Sequence, residues 1–305
     1  MDPAGALPPV AADAGGPDDV LAEIRAEVAS GTPLVGSMAT RFYRAVHALD
    51  PAATEESLAV LPGNRGVHLY DTPISWASVV PGEKVMDLGC GSGGAARAAA
   101  RVVGPEGMVV GIDSSPECVA EAQARTDEDE PILFRRGDAQ AMGNIPDRTF
   151  DCVVAILVLE QVADLERAVA EIHRVLRPGG RLVAAVTAFD RLRPIDASFM
   201  GSVIAVVGRR APGALAGRAS QASMPHEPLD QFAFKEAGLA TVEEQDVQFA
   251  VVMEDIDDAW AVFSRTYIAQ VLDDEGRDEL RSLLAHRMPH TLYLPLRFLR
   301  SRRPG

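Results

Sequence analysis

The chain is short of cysteine, of positive charge and of long apolar runs, and each shortage removes a class of protein. Its 305 residues include three cysteines, Cys90, Cys118 and Cys152. They form no CxxC pair and lack the histidine spacing that holds zinc, so free thiols in a reducing cytoplasm are expected, with no metal. Asp and Glu total 44 against 29 Lys and Arg, a formal net charge of −15. Such a chain repels phosphates on average, which argues against a nucleic-acid partner and for a neutral or cationic small one. No apolar run approaches the roughly 20 residues that cross a bilayer. The stretch from Phe199 to Val207 is too short, and Gly201 and Ser202 interrupt it. The first residues carry Asp2, Asp13, Asp18 and Asp19 and no early Lys or Arg, unlike a secretory leader. No glycine-rich loop ends in Gly-Lys-Ser/Thr, which excludes a P-loop.

What remains is 47% hydrophobic and 24% charged, the balance of an ordinary globular protein. Residues 1–17, rich in Ala, Pro, Gly and Asp, bury too little to offset chain entropy and read as a disordered tail. Val20, Leu21, Ile24 and Val28 recur at helical spacing, and a second helix is expected around Met38 to Ala48. From Lys84 onward short apolar runs alternate with helical stretches. Strands are expected at 84–88, 108–112, 132–134, 150–155 and 181–186, and helices at 94–103, 116–125 and 165–176. This alternation implies a parallel sheet covered by helices on both faces. Beyond it, 190–225 reads as an insertion with one apolar helix and a Gly/Ala/Ser-rich loop. Helices are expected at 228–237, 257–269 and 274–285, with strands at 241–253 and 291–298. The basic run from Arg300 to Arg303 reads as a solvated terminus.

The chemistry concentrates in Asp87-Leu88-Gly89-Cys90-Gly91-Ser92-Gly93-Gly94, where a strand turns into a helix. Glycines there let a ligand approach the backbone, and the helix start offers free N–H groups. Gly89, Gly91 and Gly94 also satisfy the dinucleotide pattern GxGxxG, and Asp113, 22 residues past Gly91, is placed for ribose hydroxyls in either case. A nicotinamide or flavin enzyme therefore stays open on the glycines alone. Asp87 weighs against it, since a carboxylate two residues before the first glycine repels a pyrophosphate but suits a cationic amino group. Gly137-Asp138-Ala139 and Leu176-Arg177-Pro178-Gly179-Gly180-Arg181-Leu182 follow at later strand boundaries.

In order and spacing, "VMDLGCGSG", "VVGIDSSPE", "RRGDAQAM", "RTFDCVVA" and "HRVLRPGGRLV" resemble the class I S-adenosylmethionine-dependent methyltransferases, especially the ubiquinone/menaquinone-biosynthesis-like small-molecule group. The resemblance covers roughly residues 75–190. It implies a Rossmann-like α/β domain over 76–305 with a seven-stranded mixed sheet, a helical lid over 18–75, and 190–225 on the substrate side. It implies S-adenosylmethionine as cofactor, with Asp87, Gly89, Cys90 and Gly91 around its methionine part. Asp113, with Ser114 beside it, would take the ribose, Asp138 and Ala139 the adenine, and Ile156 and Leu157 would face the amine and sulfonium. Turn formation or helix capping is the plainer role for Asp113 and Asp138, and their placement at successive strand ends makes it the weaker one.

For the acceptor, the resemblance implies methyl transfer to oxygen, nitrogen or carbon of a small molecule. The Ala/Arg/Gly-rich composition fits secondary-metabolite tailoring. Glu160, in "LVLEQV", and His226, in "SMPHEPLD", are the candidate catalytic residues, each with a plain surface role as its rival. His68, Tyr70 and Tyr43 are candidate lid residues, and His173 reads as a surface histidine. No Asp/Asn-Pro-Pro-Tyr/Phe follows the fourth strand and no Pro-Cys pair exists, which disfavours DNA bases as acceptors. Two other functions stay open: a cyclase or decarboxylase that holds S-adenosylmethionine, and a NAD(P)-dependent oxidoreductase. A homo-oligomer is compatible with all of these.

Overall fold

In a computed structural model, which describes residues 15–53, 55, 70–221 and 231–305, the chain builds one seven-stranded sheet. Its strands are β1 (Lys84–Leu88), β2 (Met108–Asp113), β3 (Ile132–Arg136), β4 (Phe150–Ile156), β5 (Leu176–Thr187), β6 (Ala240–Met253) and β7 (His290–Arg302). They lie in the order β3-β2-β1-β4-β5-β7-β6. The first five are parallel, and β7 runs antiparallel to both β5 and β6. The chain order reverses between β1 and β4, so the carboxyl ends of these two strands flank the crevice where open α/β sheets take ligands.

The helices are α1 (Pro17–Ala29), α2 (Gly36–Leu49), α3 (Asp71–Trp76), α4 (Gly94–Val103), α5 (Pro116–Ala124), α6 (Leu165–Val175), α7 (Pro194–Arg210), α8 (Pro212–Gln221), α9 (Gln231–Glu236), α10 (Ile256–Phe263), α11 (Tyr267–Gln270) and α12 (Asp274–Ala285). Caps start several of them. Ser115 Oγ accepts the Cys118 amide, Asp164 that of Arg167, and Asp273 that of Gly276. In α4 the buried residues are five alanines and Val103, small enough to bring the helix close to the sheet. The strands β1, β2 and β4 are buried along nearly their whole length, as expected where helices cover both faces. A separate apolar cluster joins α1 and α2 to α7, α8, α10 and α12 and to the ends of β6 and β7. The N-terminal helices and the segment after β5 therefore form one layer over the crevice.

Several expectations are corrected. The Gly/Ala/Ser-rich stretch after α7 is helical through Gln221, and Gly213 in it packs against the chain at Thr32, where an added Cβ would meet the Thr32 carbonyl oxygen at 2.0 Å. The helix expected over 257–269 breaks at 264–266 into α10 and α11, which places Tyr267 at the start of a new turn. The basic C-terminus is not a solvated tail. Arg300 lies in β7 beside Glu243 and donates to the Trp76 carbonyl at 3.0 Å. Arg303 Nη1 donates to the carbonyls of His173, Arg174 and Leu176 at 2.6, 3.3 and 2.7 Å, closing the end of α6. The expected disordered tail falls outside the described residues up to residue 14, and α1 begins within its last residue. The expected start of the 228–237 helix also lies outside the described residues.

Candidate active site

A cleft opens at the carboxyl ends of β1, β2 and β4 and holds about 1240 Å³ including its mouth. The structure brings Asp87, Gly89, Cys90, Gly91, Asp113, Ser114, Ala139, Ile156 and Leu157 to its wall. Asp138 is not among them. Its Oδ1 accepts from the Gln140 amide at 2.8 Å and the Gln140 side chain at 3.1 Å, so it shapes the turn after β3. Gln140 takes a place in the wall instead.

The turn after β1 has the backbone its glycines allow. Gly89 has φ +69°, and a Cβ there would stand 2.4 Å from Cγ2 of Val158. Asp113 holds the two loops in register. Its Oδ2 accepts from the Gly91 amide and its Oδ1 from the Ser115 amide, each at 2.9 Å. The turn-forming role is therefore real, and the carboxylate still faces the cleft, with further lone pairs for a ligand.

Asp87 is the anomaly. It is 2% exposed, and its Oδ2 has no hydrogen-bond partner among the described residues. Burial pushes its carboxyl up to about 7; the Ala96 amide offsets part of this and the nearby Asp113 adds to it. A buried orphan of this kind is costly unless a ligand answers it. Asp50, Glu55 and Asp113 line the same cleft with Arg44. Glu55 pairs with Arg97 and accepts from Ser92 Oγ.

The opposite wall comes from the overlying layer. Tyr43, His47 and Tyr267 line it, and Gln161 from the loop after β4 and Tyr70 from the start of α3 meet them from the sheet side. Burial pushes the His47 imidazole below its ordinary value, which keeps it neutral, and raises the Cys118 thiol to about 12. A directed chain of hydrogen bonds runs through this wall. Gln161 Nε2 donates to the Leu157 carbonyl at 2.6 Å, which fixes the amide, so Tyr267 Oη donates to Gln161 Oε1 at 3.2 Å. The short His47 Nε2–Tyr267 bond must then have the imidazole as donor, leaving Nδ1 to accept from Cys118 Sγ at 3.4 Å. His47, Asp113 and Cys118 also bring ligand-type atoms within 4.8 Å of one another. Cys118 and His47 belong to this network, while both Asp113 oxygens hold backbone amides.

Of the two candidate catalytic residues, Glu160 does not line the cleft. Its Oε2 accepts from the amide and the hydroxyl of Thr187, both at 2.9 Å, and pins the end of β5. His226 lies outside the described residues, as does His68. His173 sits half-buried on α6 near Gly238. The sequence reading missed His47, Glu55 and Tyr267. Their only signal is the fold itself, since 220 residues separate His47 from Tyr267.

The comparisons with known proteins agree with this geometry. Residues 86–184 match the family described as a methyltransferase domain. The match covers about a third of the chain, which is similar to that family over this stretch. An uncharacterized 37.1 kDa transposon protein of Streptomyces fradiae is 44% identical over 112 residues, 37% of this chain and 32% of that one. The arsenite methyltransferase of Halobacterium salinarum is 36% identical over 114 residues, 36% of this chain and 28% of that one. The ubiquinone/menaquinone biosynthesis C-methyltransferase UbiE of Teredinibacter turnerae is 36% identical over 114 residues, 36% of this chain and 45% of that one. The aligned part thus spans less than half the length of each of these three relatives. Among solved structures, the YcgJ protein of Bacillus subtilis superposes with a TM-score of 0.53 at 19% identity, over 78% of this chain and 99% of that one. The cyclase SpnF gives the same score and identity over 86% of this chain and 96% of that one. At that identity the structures show the fold, a Rossmann-like α/β methyltransferase fold. Among the described residues, no helix is long and apolar enough to cross a membrane.

Proposed function

We propose that the chain transfers a methyl group from S-adenosylmethionine to oxygen, nitrogen or carbon of a small acceptor. The observation that carries this reading is Asp87, a buried carboxylate oxygen without a partner at the head of a glycine turn. The donor set fits the cofactor: a cationic amino acid end suits Asp87 and the acidic lining, whereas a pyrophosphate would meet Asp87, Asp113 and Glu55. In this reading Asp87, Gly89, Cys90 and Gly91 hold the methionine part, Asp113 and Ser114 the ribose, Ala139 and Gln140 the adenine edge, and Ile156 and Leu157 the region of the sulfonium. When bound, the cofactor supplies an activated methyl on a good leaving group. The protein's part is then to orient the acceptor in line and keep water out. Tyr43, Tyr70, His47 and Tyr267 cover the cleft for that purpose. Glu160, held by Thr187, is left out of proton transfer.

The same reading takes 18–75 as the lid, 76–305 as the methyltransferase domain and 190–225 as its substrate-side part. It places the chain in the cytoplasm, with free thiols and no nucleic-acid partner at net charge −15. Secondary-metabolite tailoring is the role its composition favours. Incubating the protein with S-adenosylmethionine and a panel of small phenols, amines and enols, followed by mass spectrometry, tests the activity. Methylated product in step with S-adenosylhomocysteine is expected. Bound cofactor without either product would move the chain to non-methyl chemistry on the same fold. Absence of cofactor binding would overturn the reading.

A further inference from the structure

At the end of β2 the fold brings together three side chains from separate segments. His47 on α2, Asp113 in β2 and Cys118 on α5 hold their ligand-type atoms within 4.8 Å of one another. His47 Nδ1 stands 3.4 Å from Cys118 Sγ, and the Pro51 carbonyl oxygen stands 3.8 Å from the same sulfur. The sulfur–nitrogen and sulfur–oxygen edges of a tetrahedral zinc site measure about 3.6 Å, given bonds of about 2.3 and 2.1 Å. The lone pairs are also arranged for a cation. The Tyr267–Gln161 chain fixes the imidazole with its hydrogen on Nε2, which leaves the Nδ1 lone pair on the Cys118 side. Ligating histidines donate their second N–H in this way. Each Asp113 oxygen accepts one backbone amide and keeps a lone pair. Cys118 and Asp113 are buried, and a thiolate with a carboxylate balances a divalent charge, so the filled shell carries none. The expectation of no metal rested on local spacing, and 71 residues separate His47 from Cys118.

We propose that His47, Cys118 and Asp113, with the Pro51 carbonyl, form a binding site for a zinc-class divalent cation, and that this ion and the cofactor exclude each other because both need the lone pairs of Asp113. The exclusion rests on the methyl-transfer reading, in which Asp113 takes the ribose; the ion site itself does not. Binding forms a metal–sulfur bond in place of the thiol S–H bond, and the proton leaves to solvent. Burial raises the Cys118 thiol to about 12 in the free protein, and a coordinated divalent charge reverses this by deprotonating the thiol outright. The imidazole, already neutral, coordinates through Nδ1 without losing a proton. A sulfur and a nitrogen in the donor set favour zinc over magnesium or calcium, which take oxygen ligands. A rise in free ion then lowers cofactor occupancy and slows turnover.

The test uses the full chain, stripped of metal by a chelator that is then removed. Cadmium is the first probe, because a cadmium–thiolate bond adds a charge-transfer band in the ultraviolet. The band is expected in the wild type, absent in Cys118→Ser and retained in Cys90→Ala, whose thiol also lies in the cleft wall. A wild type without the band, or a band that survives Cys118→Ser, would overturn the proposal. Zinc is then titrated by calorimetry into the wild type with and without S-adenosylhomocysteine. At about ten times its own dissociation constant, S-adenosylhomocysteine is expected to weaken the apparent zinc affinity about tenfold. An unchanged zinc affinity would overturn the exclusion. Should Cys118→Ser fail to fold, this competition on the wild type decides in its place. Failure of S-adenosylhomocysteine itself to bind would overturn the methyl-transfer reading and the exclusion with it, and the cadmium band in the wild type against Cys118→Ser would still decide the ion site.

Discussion

At the scale of single residues, the cleft is organised by two carboxylates with opposite circumstances. Asp113 is satisfied by two backbone amides, whereas Asp87 is buried with an orphan oxygen and titrates near 7 against an ordinary 3.8. Linkage fixes the sign of the consequence. Between about pH 4 and 7 the folded, ligand-free protein keeps a proton that the unfolded chain has lost. The free protein's stability therefore falls as pH rises through that window, and the cost of the ionised form is fully present above it. A ligand ammonium reverses the preference, so affinity for S-adenosylhomocysteine is expected to rise from pH 6 to pH 8. At pH 6 binding should release a proton, seen as a calorimetric heat that depends on the buffer. Asp87→Asn is expected to abolish both dependences, and a pH-independent affinity in the wild type would contradict the assignment. Glu160→Gln is expected to lower stability by about 1–3 kcal/mol by weakening the bonds to Thr187. Thermal melting beside turnover checks this: a base would show as lost turnover with an unchanged melt.

At the scale of elements, the turn after β1 and the end of α6 are where one side chain decides local structure. Gly89→Ala places a Cβ against Val158 on a backbone with φ +69° and is expected to cost about 1–3 kcal/mol and to impair cofactor binding. Arg303→Ala leaves the carbonyls of His173, Arg174 and Leu176 without their guanidinium donor and is expected to cost about 1–3 kcal/mol, read by chemical denaturation. These two sites also mark what the sequence made legible. The strands from Lys84 to Ile156 were readable because each is an apolar run closed by glycine, aspartate or a cap. Arg303 was not, because nothing local says that the last residues return to cap a helix 130 positions earlier. The segment after α7 misled for a related reason. Gly213 and its small neighbours have loop composition, yet they are helical, with Gly213 packed closely against Thr32. The break between α10 and α11 was hidden because the apolar period of Trp260, Phe263 and Tyr267 runs through it.

At the scale of the whole molecule, a parallel sheet supplies one wall of the cleft and the helical layer supplies the other. The sheet wall was legible as motifs, since its residues follow strand ends in chain order. The other wall joins α2, from the first 50 residues, to α11, some 220 later, and no local pattern announces that meeting. The bond chain from Cys118 through His47, Tyr267 and Gln161 to Leu157 ties the two walls together. Tyr267→Phe cuts it and is expected to lower the melting temperature while leaving the sheet-side contacts of the cofactor in place. The central claim is that the sheet wall binds S-adenosylmethionine through the buried charge of Asp87. The most direct measurement is a calorimetric titration of S-adenosylhomocysteine into the wild type and Asp87→Asn at pH 8. The account predicts micromolar-class binding to the wild type and a loss of roughly tenfold or more in the variant. Equal binding to both proteins, or none to a folded wild type, would contradict it.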